Sequence, residues 1–245
     1  MNNKGKKMKL IIVRHGDPDY SIDSLTEVGK KEAELLAARM DKTQLDDVYV
    51  SPLGRAKLTA QIALKNKGIV PTECDWLREF GCSATNPSGA PVIWDLMPGY
   101  YAEHRAELDG ADWQKFGFLA KSDIAEAYGM VTRGVDEILF RHGYKRNGFM
   151  YDAVKPSYDT VALFCHFGVE SVILSHILGV SPYLFFQGFC ALPTSVTTLV
   201  TEEREQGKAV FRCLAFGDTS HLYAGGREPS FAGRFAEIHG NGDRI

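Results

Sequence analysis

Four consecutive apolar residues, Leu10-Ile11-Ile12-Val13, stop abruptly at Arg14-His15-Gly16, and the turn formers Asp17-Pro18-Asp19 stand directly behind them. A β-branched run closed off by Gly and Pro reads as a buried strand ending in a loop. Loops beyond strand ends are where α/β proteins place their chemistry. A guanidinium at such a point can grip an anion with a bidentate fork, and an imidazole beside it can attack phosphorus.

Two later segments follow the same plan. Asp47-Val48-Tyr49-Val50 reads as a short strand, and Ser51-Pro52 behind it predicts a helix with Ser51 as N-cap and Pro52 at its first position, running to about Lys67. Thr160-Val161-Ala162-Leu163-Phe164-Cys165 reads as a buried strand. His166-Phe167-Gly168 and a helical run from Val169 to Leu178 follow, with Gly179 and Pro182 as stop signals. Between the first two strands, Thr26 is the expected N-cap of a helix reaching about Met40.

Residues 82–157 break the rhythm with Pro87, Gly89, Pro91, Pro98, Gly99 and Gly110 among aromatic residues. They predict a long insertion with helical pieces, one of them over Ser122 to Phe140. Ser195–Val200 and Ala209–Ala215 flank a charged, Gly-containing connection and predict an antiparallel hairpin at the sheet edge. Residues 1–7 read as a basic tail or extended start, and the final fifteen or so residues are weakly patterned. No internal repeat and no second-domain boundary is visible. The expected architecture is therefore one domain over 1–245. It is a three-layer α/β/α sandwich with a mostly parallel sheet, an antiparallel edge hairpin and a capping insertion at about 82–157.

Composition narrows the partners. With 245 residues, 24% charged and a net charge of −3, the chain carries no broad basic surface for nucleic acid. An anionic substrate must instead be drawn in by a local basic pocket. The apolar run beginning at Leu10 is broken by Arg14 and is too short for a membrane or secretory segment. Five cysteines without a C-x-x-C pair fit reduced thiols, so the expected location is cytoplasmic.

In a parallel sheet, Arg14-His15-Gly16, Ser51-Pro52-Leu53-Gly54-Arg55 and His166-Phe167-Gly168 all fall at the C-terminal edge of the strands. Helix N-termini there add backbone N–H groups suited to phosphate. Glu79, in Leu77-Arg78-Glu79-Phe80-Gly81, is the candidate acid. No compact His/Cys/Asp cluster suggests a metal, and no cofactor is expected.

At this point the chain resembles the histidine phosphatase superfamily, the phosphoglycerate mutase-like group. The resemblance rests on an ordered set of motifs. They are Arg14-His15-Gly16, Leu25-Thr26-Glu27-Val28-Gly29, Ser51-Pro52-Leu53-Gly54-Arg55-Ala56, Leu77-Arg78-Glu79, His166-Phe167-Gly168 and Asp218-Thr219-Ser220-His221-Leu222. The resemblance implies that His15 is the nucleophile and passes through a phosphohistidine. It implies that Arg14, Arg55 and His166 clamp the phosphoryl oxygens and that Glu79 protonates the leaving alcohol. The expected activity is metal-independent hydrolysis of a small phosphomonoester. One alternative is a phosphoglycerate mutase-type phosphotransferase. Those enzymes resemble Arg-His-Gly-Glu-Ser followed by Trp-Asn, whereas this chain reads Arg14-His15-Gly16-Asp17-Pro18-Asp19-Tyr20. They also carry a basic, Tyr-containing segment after the acid, where Phe80-Gly81-Cys82-Ser83 stands here. The other alternative is a catalytically weak phospho-ligand-binding module. A homodimer through the edge hairpin is left open.

Each candidate also has a bland reading. His15 and His166 could be satisfied histidines at strand ends, Arg14 a salt-bridge residue, Arg55 a solvated helix residue and Glu79 a surface acid. A second Arg-His-Gly, Arg141-His142-Gly143, follows a helical pattern and reads as a helix C-terminus. His221 is expected to fix the C-terminal segment rather than join the chemistry. His104, His176 and His239 have no partners visible in the sequence.

Overall fold

The computed structural model describes residues 7–230. The expectations for residues 1–6, for the last fifteen residues and for His239 lie outside that range. Strand β1 (Lys9–Arg14) enters the centre of an eight-stranded sheet and is followed by a small ribbon, β2 (Pro18–Asp19) and β3 (Ser24–Leu25). Helix α1 (Glu27–Asp41), β4 (Asp47–Val50), α2 (Gly54–Ala63) and β5 (Thr72–Glu73) come next. Short helices α3 (Pro98–Glu103) and α4 (Arg105–Leu108) precede the long α5 (Ile124–Arg141) and the hairpin β6 (Tyr144–Asn147) and β7 (Met150–Ala153). The chain closes with β8 (Thr160–Cys165), α6 (Phe167–Leu178), α7 (Pro182–Gly188), β9 (Val196–Glu205), β10 (Lys208–Asp218) and α8 (Ser220–Ala224).

The strand order is β5-β4-β8-β1-β9-β10-β7-β6. β5, β4, β8 and β1 run parallel, and the remainder join antiparallel. β1 shows why both faces must be covered. Leu10 and Ile12 enter one apolar core, which continues into α5, α6 and α7, while Ile11 and Val13 enter the other, with Leu36, Met40, Ala56 and Ala60. A strand apolar on both faces needs a helix layer on each side.

Thr26 caps α1, its side chain accepting from the Gly29 N–H at 3.0 Å, as its sequence position predicts. The start of α2 differs from expectation. The helix begins at Gly54, and its N–H donates to the Asp23 carboxylate at 2.6 Å, so the cap arrives from a loop 31 residues away. The Ser51 hydroxyl, expected to cap the helix, reaches only one backbone N–H there, that of Leu53 at 3.3 Å, one residue before Gly54. The helix also ends at Ala63 rather than near Lys67, and the chain then turns through Gly68 at φ +65°.

The β9–β10 hairpin forms where predicted, but β7 pairs with Lys208 and Ala209, so a second hairpin extends the sheet beyond it. That hairpin and α5 come from the later part of the 82–157 stretch. α5 buries Val131, Val135, Ile138 and Leu139 against the sheet, and its last turn carries the second Arg-His-Gly. There His142 is a buried helix cap between Asp159 at 2.7 Å and Asp47 at 3.3 Å, a structural role. Residues 82–123 are mostly irregular, and their Ile93, Trp94, Leu96, Leu108, Trp113 and Leu119 bury into the same core as α6 and α7.

Candidate active site

Parallel pairing of β1 with β8 and of β8 with β4 sets Arg14 opposite Cys165 and Val50 opposite Phe164. The residues after these three strands, His15, Ser51 and His166, therefore emerge together at one sheet edge. His15 is held by both neighbours of β1: its N–H donates to the Cys165 carbonyl at 3.0 Å, and its carbonyl accepts from the Thr194 N–H at 3.1 Å. The Gly16 N–H donates to Thr59 Oγ1 at 3.0 Å, and that hydroxyl donates to the Arg55 carbonyl at 2.7 Å, tying the loop to α2. No side chain fits at Gly16, where a Cβ would lie 2.8 Å from the Gly29 carbonyl oxygen.

The His15 ring is buried, and its Nδ1 lies 2.7 Å from the Gly16 carbonyl. A carbonyl can only accept, so Nδ1 carries the proton and Nε2 keeps its lone pair. Burial, helped by the charge of Arg14, drives the His15 pKa well below the usual imidazole value; the Gly16 bond opposes this, and Arg55 adds to it. His166, fully buried, is lowered likewise, by burial first and then by His15, Arg55 and Arg14. Both rings are thus neutral at pH 7, with centroids 5.0 Å apart.

His166 Nε2 lies 2.8 Å from the Ser51 hydroxyl, which also accepts the Leu53 N–H at 3.3 Å. The Leu53 N–H takes one of the two Ser51 lone pairs and leaves the hydroxyl proton free for Nε2; in that arrangement the ring proton of His166 sits on Nδ1. That Nδ1 is buried and has no hydrogen-bond partner among the described residues.

The two arginines share this property. Arg14 uses Nη1 on the Ala191 carbonyl, and Arg55 uses Nη1 on Asp23 at 2.6 Å, yet the buried Nε of each is unpartnered. Buried polar groups are ordinarily paired, and leaving one unpaired costs about 1–3 kcal/mol. Among the described residues these are three unused donors, on two guanidiniums and an imidazole, and they suit a tetrahedral oxyanion.

Glu79 follows a 3₁₀ turn over Asp75–Leu77. Its Oε1 accepts the Phe80 N–H at 2.8 Å and the Val169 N–H at 3.2 Å, so the acid itself occupies the first turn of α6 that the sequence suggested for phosphate. Burial raises its pKa, against the pull of those two bonds and of Arg14 and Arg55. Gly168 makes the approach possible: a Cβ there would stand 2.7 Å from both Glu79 Oε1 and the Trp94 ring. Sequence position alone left Trp94 unassigned; it forms the wall beside the acid.

All five predicted residues come together. Three others went unforeseen. Ser51 reads as a helix cap, and Asp23 reaches Arg55 only through the fold. Glu170 is 1% exposed, and burial raises its carboxyl to about 7, while Thr197 and Arg14 pull it down. Its signal was the one acid in the mostly apolar Val169–Leu178 run. His221 Nε2 lies 3.2 Å from the Thr194 hydroxyl, and the Thr194 N–H donates to the His15 carbonyl. Of the unpartnered histidines in the sequence, His176 meets Asp136 at 2.9 Å and His104 packs between Tyr100 and Phe116. Among the described residues no group of three or more His, Cys, Asp or Glu could hold a metal ion, and no helix is long and apolar enough to cross a membrane.

Two neutral histidines, two arginines and an acid gather at the C-terminal edge of the parallel strands β1, β4 and β8, a set of groups suited to phosphoryl transfer. Residues 10–213 match the histidine phosphatase superfamily (branch 1), and the chain belongs to that family. Phosphoserine phosphatase 1 of Hydrogenobacter thermophilus is 28% identical over 144 residues, covering 55% of this chain and 66% of that protein. A probable phosphatase of Schizosaccharomyces pombe is 24% identical over 88% of this chain and 95% of its own length. The fold is shared with a phosphoserine phosphatase from Entamoeba histolytica solved with phosphoserine, at TM-score 0.58, 19% identity and 88% and 99% coverage of the two chains. A mycobacterial glucosyl-3-phosphoglycerate phosphatase solved with VO3 matches at TM-score 0.56, 18% identity and 85% and 98% coverage.

Proposed function

We propose that this phosphatase hydrolyses a small phosphomonoester, without a metal, through a phosphohistidine on His15. The observation that carries the reading is the free Nε2 lone pair of a neutral His15 beside three buried, unused donors. Arg14, Arg55 and His166 take the phosphoryl oxygens. Nε2 forms the N–P bond as the P–O bond to the alcohol breaks, and Glu79 gives its proton to the leaving oxygen. Water then attacks phosphorus, Glu79 takes its proton, the N–P bond breaks, and inorganic phosphate leaves. Such a transfer needs positioning and charge stabilisation more than bond-making groups.

The relatives named for phosphoserine and glucosyl-3-phosphoglycerate support a small phosphorylated substrate as the class. Residues 82–123, which place Trp94 beside Glu79 and Gly168, are assigned the capping role, within a single domain. The thiols of Cys74, Cys82, Cys165 and Cys213 are reduced, which supports a cytoplasmic location.

The test is release of inorganic phosphate from an aryl phosphate in the presence of a chelator, with His15→Ala as control. Turnover that resists chelation and vanishes in the variant supports the reading. Turnover that needs a bisphosphorylated primer would move the assignment to a mutase. Phosphate binding without turnover in the wild type would leave a binding module.

A further inference from the structure

We propose that Asp23 is a positioning residue for Arg55, fixing one corner of its guanidinium so that the Nε–H stays turned to the phosphoryl group. The proposal rests on the reading of Arg55 as a phosphoryl-binding residue.

Asp23 lies in the turn joining β2 to β3, a turn closed by Ser21, whose N–H donates to Asp19 Oδ1 at 3.0 Å. Its own backbone sits at φ +47°, in the left-handed region, which costs a non-glycine residue on the order of 1 kcal/mol. From there one carboxylate oxygen reaches Arg55 Nη1 and the other the Gly54 N–H, each at 2.6 Å. Gly54 is part of the device, since a Cβ at that position would lie 2.1 Å from the Asp23 carbonyl oxygen. Only glycine lets the turn lie flat on the start of α2. The Tyr20 ring completes the grip, with the guanidinium carbon 5.4 Å from its centroid.

The division of exposure between the pair decides what the contact does. The Arg55 side chain is 11% exposed and the Asp23 side chain 43%. The carboxylate therefore stands on the solvent side, where its charge is screened, and the guanidinium points inward. An exposed ion pair contributes little to stability on its own. Its value here is orientation: with Nη1 tied outward, the unpartnered Nε of Arg55 is left buried on the other side. Burial works against ionising Asp23, but the Gly54 N–H and Arg55 overcome it and hold the carboxyl below its ordinary range.

Asp23→Asn separates orientation from helix capping. The amide oxygen still accepts the Gly54 N–H, while the amide nitrogen cannot accept from Arg55. KM for an aryl phosphate and Ki for inorganic phosphate are expected to rise about tenfold, with kcat changed less than about threefold and the unfolding midpoint nearly unmoved. In an Arg55→Ala background the same substitution should change neither constant further, because Asp23 acts through Arg55. Phosphate binding as tight as wild type in Asp23→Asn would overturn the proposal, and tighter binding would overturn it by showing that Asp23 competes with the ligand. So would effects of the two substitutions that simply add. If the wild type turns over no ester, the hydrolase reading fails, and calorimetric titration of wild type and Asp23→Asn with inorganic phosphate still decides this one.

Discussion

The Ser51 hydroxyl and the Nε2 of His166 stand 2.8 Å apart across 115 residues of chain, linking the end of β4 to the start of α6. A hydroxyl that gives its proton to Nε2 fixes which nitrogen of His166 is the donor. The second histidine of the site is thereby oriented by a serine from another strand–helix junction.

Ser51→Ala should therefore lower kcat by about tenfold while leaving KM within a small factor, the scale of one lost hydrogen bond that orients a transition-state donor. Steady-state kinetics on an aryl phosphate measure it. Ser51→Thr, which keeps the hydroxyl, should recover most of the loss. Equal rates in wild type and Ser51→Ala would remove Ser51 from the mechanism.

The role of Glu79 depends on the leaving group. An alkoxide needs a proton, whereas a nitrophenolate leaves without one. Glu79→Gln should cost alkyl phosphate hydrolysis about 10²–10⁴-fold and nitrophenyl phosphate hydrolysis far less. In the wild type the raised pKa of Glu79 supplies the acid form at low pH, and the lowered pKa of His15 keeps the nucleophile neutral there. Alkyl phosphate turnover should thus fall as pH rises through the Glu79 pKa. A pH–rate profile of Glu79→Gln should lack that alkaline limb.

Gly168→Ala puts a methyl 2.7 Å from both Glu79 Oε1 and the Trp94 ring. The acid or the tryptophan must move, and the acid is the less firmly packed of the two. Activity on an alkyl phosphate should drop more than tenfold, while far-UV circular dichroism stays unchanged, since a small shift of a positioned group is enough to lose that much rate. Retained activity would mean that Trp94 gives way instead.

Glu170 adds a pH dependence to folding rather than to chemistry. Its carboxyl is raised to about 7 from 4.5, so the folded chain holds a proton there that the unfolded chain releases between those values. Its contribution is favourable at low pH and is lost as pH rises through the folded value. Glu170→Gln removes this cost, and at pH 8 it should stabilise the fold by up to about 3 kcal/mol, with little effect at pH 5. Denaturant midpoints at the two pH values give the comparison; equal shifts at both would remove Glu170 as the cause.

What could be read in the chain before its structure follows from range. Leu10 to Gly16 announce a strand and its loop because apolar run, titratable pair and glycine are contiguous. His166 and Arg55 were legible for the same reason, each beside its own strand–helix junction. Ser51 was placed correctly but read only as a helix cap, because a serine before a proline satisfies the local rules of helix capping. The competing bond comes from β8, and only strand pairing reveals it. Asp23 carried no local signal, since its function needs Gly54 to be bare and the β2–β3 turn to fold onto α2. The second sheet hairpin was missed because Tyr144–Asn147 and Met150–Ala153 are short and half polar, and they are recruited by Tyr144 and Tyr151 packing on Phe211.

The central place of β1 bears on how the molecule comes into being. Its two flanking strands, β8 and β9, are encoded far downstream, so a growing chain makes His15, the proposed nucleophile, well before its supports. A nascent segment ending before residue 160 holds His15, Arg14, Arg55 and Glu79, yet both edges of β1 are unpaired and His166 does not exist. The cluster around His15 is therefore incomplete until β8 and β9 have been made. Long-range pairing of this kind makes assembly slow, and the emerging strand is exposed to association with other chains throughout that interval.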